Sequence, residues 1–126
     1  MAHEPPASVP PFLAPGTATV EDFERLDLRV GRIVAVEPLA DARRPAYRLR
    51  LDFGPGGERQ SSAQLTVSYP DPAELVGRLV VAVVNFPPRR VAGYRSEVLV
   101  LGAMASDGRV PLLGVDAGAE PGQRVG

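Results

Sequence analysis

The sequence predicts a small all-β barrel of five strands in a single domain, and three observations carry that reading. Short apolar, β-branched runs recur along the 126 residues, each bounded by glycine or proline, and none approaches the ~20 residues of a membrane-spanning helix. Tyr47 to Phe53 alternates strictly, with Tyr47, Leu49, Leu51 and Phe53 on one face and Arg48, Arg50 and Asp52 on the other. Helix signals are brief and lie between the strands. A chain of this length buries a core without disulfides or metal.

Residues 1–16 are rich in Pro, Ala and Ser, a composition that predicts a disordered extension, so the folded domain is read as 17–126. Thr19-Val20-Glu21-Asp22 resembles a capping box, and Val20, Phe23 and Leu26 share one face of a short lead-in helix. Leu28 to Val36 reads as the first strand, with Gly31 marking a bulge or tight bend and Pro38 ending it. A loop with Arg43, Arg44 and Pro45 leads to the alternating second strand, and Gly54-Pro55-Gly56-Gly57 turns the chain. Glu58 to Val67 returns as the third strand, with Gln60, Ser62, Gln64 and Thr66 outward and Ser61, Ala63, Leu65 and Val67 inward. Strands two and three should then show solvent a carpet of Arg, Gln and Ser without mixed-sign charge.

Asp71-Pro72-Ala73-Glu74-Leu75-Val76-Gly77 has an N-cap, a proline at the first helical position and a closing glycine, which predicts one short helix. Leu79 to Val84 is the fourth strand and Ser96 to Gly102 the fifth, with further extended pieces at Val110 to Val115 and Pro121 to Val125. Five strands with a helix between the third and fourth is the element order of an OB-fold. Its ligands lie across strands two and three and between the first-to-second and fourth-to-fifth loops. Both loops carry an arginine pair beside proline: Arg43 and Arg44, Arg89 and Arg90. Pro87 and Pro88 fix φ and force the chain out of the sheet, so the second pair sits on a stiff segment.

Candidate binding residues cluster around these loops. Asn85 leaves the fourth strand where its amide would orient the loop, tie down the Pro-Pro turn or read a base edge, and Ser96 is expected beside it across the ladder. Of the aromatic residues available to stack a base, Tyr69, Phe86 and Tyr94, Phe86 reads as core and Tyr94 as exposed. A net charge of −1 argues against a non-specific nucleic-acid coat, and every one of the 14 basic residues is arginine. With no cysteine and only His3, thiolate and histidine metal sites are excluded, and no cofactor is called for. No serine has a histidine to activate it and no glycine-rich phosphate loop precedes a helix, so no catalytic residue is assigned. Leu79 to Val84 is apolar on both faces, so its outer face needs covering by the C-terminal pieces or a second subunit, and a homodimer is expected. Without an evident signal peptide or membrane span, a cytoplasmic location with no membrane insertion is expected.

Leu28-Arg29-Val30-Gly31, Gln60-Ser61-Ser62-Ala63-Gln64, the run from Val80 to Gly93 and that from Ser96 to Gly102 together resemble the CsaA-type export-related chaperones. These belong to a superfamily of tRNA-binding domains also found appended to methionyl-tRNA synthetases. The resemblance runs from about Thr19 to the C-terminus. It implies an OB-fold homodimer that binds unfolded or precursor polypeptides, contacts the secretion machinery and its ATPase, and carries a tRNA-binding surface. It also places Asn85, Ser96, Arg89 and Arg90 at the superfamily's RNA site. The chain departs from the wider superfamily in having arginine where lysine is favoured and Ser62-Ala63 in place of Ser-Gly. The function expected is an export chaperone with tRNA-binding capacity, and the alternative is a dedicated tRNA-binding module.

Overall fold

Strict alternation in Tyr47 to Phe53 forces one side of that strand into a core, and the sheet is built around it. The computed structural model describes residues 16–40 and 42–126, so the extension read as disordered lies, up to residue 15, outside the described residues. Helix α1 (Val20–Glu24) precedes β1 (Leu28–Pro38), β2 (Tyr47–Asp52), β3 (Glu58–Ala63), β4 (Leu79–Val83), β5 (Arg89–Val91), β6 (Tyr94–Ser96) and β7 (Leu99–Val100). The main sheet is antiparallel in the order β3-β2-β1-β4-β7, and β5 and β6 form a separate ribbon. Two bonds bring the sheet's edges together. The Glu97 N–H donates to the Gln60 carbonyl (2.9 Å) and the Ser61 hydroxyl to the Val98 carbonyl (2.8 Å). The result is a nearly closed five-stranded barrel, and the OB-fold expectation holds.

Ile33, Leu49, Leu51, Phe53, Leu65, Leu75, Val80 and Ala82 fill the barrel. Glycine is required at position 31, where a Cβ would stand 2.8 Å from the Phe53 ring. The bend expected at Gly31 lies further on. The β1–β2 register slips between Ile33 and Ala35, which leaves Val34 as the extra residue.

The outer face of β4 had two candidate covers, and the chain's own C-terminus is the one observed. Leu28, Val81 and Val83 pack with Leu26, Leu101, Val115 and Val125. Residues 122–125 pair with the start of β1, where β2 does not reach, with the Val30 N–H donating to the Gln123 carbonyl (2.9 Å) and the Val125 N–H to the Leu28 carbonyl (2.8 Å).

Other expectations are corrected. The Thr19 capping box forms, but the five-residue helix buries nothing: Val20 and Phe23 stay exposed, and only Leu26, beyond its end, reaches the outer cluster. Strand β3 stops at Ala63, because the Tyr69 N–H bonds back to the Leu65 carbonyl (2.9 Å) and turns the chain, leaving Leu65 inside and Val67 exposed. The helix expected at Asp71 to Gly77 shrinks to one 3-10 turn, Pro72–Glu74, capped by the Asp71 carboxylate. The Gly77 N–H is taken by the Ile33 carbonyl (2.7 Å), so the chain returns to β1 before a second turn can form.

Candidate functional site

Pro87 and Pro88 eject the chain from the sheet as expected, but residues 89–96 then form an ordered hairpin in place of a loop. Positive φ at both Ala92 (49°) and Gly93 (81°) makes the turn type I′, the hand that matches strand twist. It sets Arg89 opposite Ser96 and Val91 opposite Tyr94.

Four side-chain contacts dock this hairpin and its exit on β2 and β3. The Gln60 side-chain amide donates to the Arg95 carbonyl (2.7 Å), and its backbone N–H to the Glu97 carboxylate (3.0 Å). The Ser62 N–H donates to the buried Ser96 hydroxyl (3.0 Å). The Tyr94 hydroxyl donates to the Leu49 carbonyl (3.3 Å), with the Arg48 guanidinium 5.9 Å from its ring. Burial raises the Tyr94 phenol pKa, an effect the Arg48 and Arg50 charges oppose.

Docking leaves two hollows. The larger, about 330 Å³, is lined by Ser62, Phe86, Pro87, Arg89, Ser96, Glu97, Val98 and Leu99. Phe86 and Leu99 present apolar surface there, each more than two-fifths exposed, beside side chains of both charge signs. The smaller, about 200 Å³, is lined by Ala35, Glu37, Arg48, Arg50, Gln60 and Tyr94.

This face is not the uniformly basic and polar carpet expected. Arg48 is ion-paired to Glu37, Arg50 to Glu58 (2.9 Å), and Arg95 more loosely to Glu97 (3.8 Å). The hydrogen bond and charge of Glu58 raise the Arg50 pKa above its ordinary value. The carboxylates arrive from three elements. Glu37 is the register partner of Arg48 across β1–β2, Glu58 reaches diagonally from the start of β3, and Glu97 lies just beyond β6. Among the described residues Arg89, Arg90, Arg43 and Arg44 form no ion pair. Arg90 donates to the Gly93 carbonyl (3.0 Å) within its own turn.

The expected site residues therefore separate. Phe86, Arg89, Ser62 and Ser96 share the larger hollow, and Gln60 and Tyr94 the smaller, while exposed Arg43 and Arg44 line neither. Phe86, read as core, is exposed, because the strand ends at Val83 and Pro87 carries the chain outward. Tyr94, read as exposed, is half-buried because the hairpin folds back over β2. Tyr69 turns inward: its hydroxyl accepts the Leu112 N–H (3.0 Å) and its ring lies 5.1 Å from the Arg78 guanidinium.

Asn85 is not beside Ser96, whose partner is Arg89, nor does it hold the Pro-Pro turn. Its carbonyl oxygen accepts the Asp27 N–H (2.9 Å) and its NH2 donates to the Arg25 carbonyl (2.8 Å), clamping the α1–β1 joint to the end of β4. Glu37, Glu58, Glu97 and Leu99 are site residues that sequence reasoning missed. For Glu37 no local signal was available, because the eight residues between β1 and β2 leave open the register that sets it opposite Arg48. Among the described residues no cluster of His, Cys, Asp and Glu is placed to hold a metal, and no helix is long and apolar enough to cross a membrane.

A curled sheet with a docked hairpin and a mixed apolar and charged groove defines a binding module built on an OB-fold barrel. The chain belongs to the family described as "Putative tRNA binding domain", whose profile matches residues 28–124. Among solved structures it is similar to the chaperone CsaA of Bacillus anthracis, with 49% identity and a TM-score of 0.83 over 88% of this chain and 100% of that one. It is also similar to the CsaA chaperone protein of Picrophilus torridus, with 41% identity and a TM-score of 0.79 over 87% and 100% of the two chains. These similarities bear out the resemblance read from the sequence. Methionine–tRNA ligase of Neisseria meningitidis serogroup A is 42% identical over 110 residues, covering 86% of this chain, which spans 16% of that relative's length.

Proposed function

We propose that this protein is a non-catalytic chaperone of the CsaA type, a cytoplasmic homodimer that holds unfolded or precursor polypeptides for export, with tRNA as a second ligand. The observation that carries this reading is the larger hollow. Phe86 and Leu99 supply apolar contact, Ser62 polar contact, and Arg89 and Glu97 both charges. An extended polypeptide offers the same mixture, whereas a nucleic acid offers one charge only. Exposed Met104 and Leu113 supply apolar surface for a second copy, and delivery to the secretion ATPase is part of the export role.

The tRNA ligand is favoured by the family and by the arginines outside the ion pairs. Arg89 and Arg90, with Arg43 and Arg44, would neutralise about four phosphates, and Phe86 would stack a base. In this reading Asn85 and Ser96 act through position, the one fixing the end of β4 and the other the hairpin.

The test is an equilibrium titration with labelled tRNA and, in parallel, a labelled unfolded precursor peptide, each at low and physiological salt. Peptide affinity that survives physiological salt supports the chaperone reading. Loss of peptide binding beside tight tRNA binding with a log–log salt slope of roughly −3 refutes it in favour of a dedicated tRNA module. Arg89→Ala with Arg90→Ala should flatten that slope by about 1.4, and an unchanged slope removes the hairpin from the RNA reading. A concentration-independent monomer mass in solution would refute the dimer.

A further inference from the structure

We infer that Glu37 and Glu58 are specificity-determining residues, which cancel the positive charge of Arg48 and Arg50 on the outer face of β2 and so bias the groove toward polypeptide and against polyanions. The inference rests on the proposed function, in which this groove takes the ligand.

Arg48 and Arg50 are the outward cations of β2, beside the hollow that Gln60 and Tyr94 line. Left alone they would extend the positive surface of Arg89 toward the barrel's middle. Each instead has a carboxylate of its own. Glu37 faces Arg48 directly across the β1–β2 ladder, and Glu58 bonds Arg50 through both Nε (3.2 Å) and one terminal nitrogen (2.9 Å). Arg48 is further held against the Tyr94 ring, 5.9 Å from its centroid.

All four charged side chains are well exposed, between 42% and 63%, so these pairs contribute little to stability. Their effect is on the field. A phosphate approaching from beyond the Debye length of ~8 Å meets paired opposite charges, with Asp52 outward beside them and no net positive charge, and a contact to either arginine leaves an uncompensated carboxylate beside the phosphate. Few counterions then wait to be released, which removes the main source of polyanion affinity. A polypeptide loses nothing by this, since its carboxylates and ammonium or guanidinium groups each find an opposite charge on the same face.

The experiment compares wild type with Glu37→Gln/Glu58→Gln, which keeps size and hydrogen-bonding capacity while freeing two arginines. Labelled tRNA and a labelled unfolded precursor peptide are titrated across a salt series, with circular dichroism confirming the fold. If both arginines gain a phosphate contact, the tRNA slope should steepen by about 1.4, and affinity at ~0.1 M salt should rise by up to roughly 25-fold. An affinity and slope equal to wild type would overturn the inference.

A second variant, Glu37→Gln/Arg48→Gln/Arg50→Gln/Glu58→Gln, removes both ion pairs without changing the net charge of the face. It should leave tRNA affinity within about twofold of wild type, because the paired arginines make no phosphate contact, and a large loss would overturn the inference equally. Failure of the groove reading is visible separately. If wild type binds no peptide at physiological salt while Glu37→Gln/Glu58→Gln gains tRNA affinity, the chaperone function falls and the electrostatic assignment stands.

Discussion

Ser96→Ala separates an RNA contact from a structural one. Ser96 is 7% exposed and its hydroxyl accepts the Ser62 N–H at 3.0 Å, so the substitution removes one atom and leaves one donor without a partner. An unsatisfied buried donor costs about 1 to 3 kcal/mol, and because Ser62 is only half-buried, water can partly replace the lost acceptor. The expected cost is therefore about 1 to 2 kcal/mol. With a urea m-value of roughly 1.5 kcal/mol/M, the unfolding midpoint should fall by about 1 M with m unchanged. Hydrogen exchange at the Ser62 amide should accelerate more than at the Gln60 amide, which keeps its Glu97 acceptor. An unchanged midpoint with Ser62 still protected, accompanied by weakened tRNA binding, would show that the hydroxyl serves the ligand and that the docking bond has no energetic role.

The same geometry sets the outcome of other perturbations. Gly31→Ala should destabilise the barrel by about 1 to 3 kcal/mol in urea unfolding, because its Cβ would stand 2.8 Å from a Phe53 ring that is 3% exposed and has little room to retreat. Ala92→Asn should stabilise the hairpin by roughly 0.5 to 1 kcal/mol, read as slower exchange of β5 and β6 amides, since asparagine tolerates the φ of 49° better than alanine. The Tyr94 pKa is raised by burial, so the contribution of its neutral form is fully present below the unfolded-state value of about 10 and is lost as pH rises from there through the folded value. Phenolate absorbance compared with Tyr94→Phe should show this group ionising above pH 10, and ionisation at or below pH 10 would contradict its burial.

The parts of the fold legible in the sequence are those set by local pattern. Alternation placed Tyr47, Leu49, Leu51 and Phe53 inside, and the Thr19 and Asp71 caps fall where side chain and turn are neighbours in sequence. What stayed hidden depends on distant partners. Asn85 joins groups 58 and 60 residues away, and no local rule ranks that clamp above a turn or a base contact. The β5 and β6 strands are three residues each and carry arginine and tyrosine, so neither apolar runs nor alternation could reveal them. Missing the hairpin inverted the reading of both aromatics. Phe86 looks like a continuation of an apolar strand until the chain is seen to leave, and Tyr94 looks like a loop tip until the ribbon folds back. The carboxylates were missed because Glu37, Glu58 and Glu97 sit on three separate elements, and only strand register brings each to its arginine.

Within the groove, the side chains that hold the hairpin are largely distinct from those left for a ligand. Gln60, Ser96 and Tyr94 spend hydrogen-bonding groups on docking, while Phe86, Leu99 and Arg89 keep exposed surface. Two kinds of substitution should therefore behave differently. Loosening the hairpin lowers the population of the formed groove and weakens peptide and tRNA binding by a common factor, because both need the same conformation. Changing the carboxylates of β1 and β3 that pair the β2 arginines leaves that population alone and moves the two affinities apart. A shift in the ratio of peptide to tRNA affinity thus reports the electrostatics of the face, and a fall in both at constant ratio reports the docking of the hairpin, so Ser96→Ala and Glu37→Gln/Glu58→Gln test separate halves of one site.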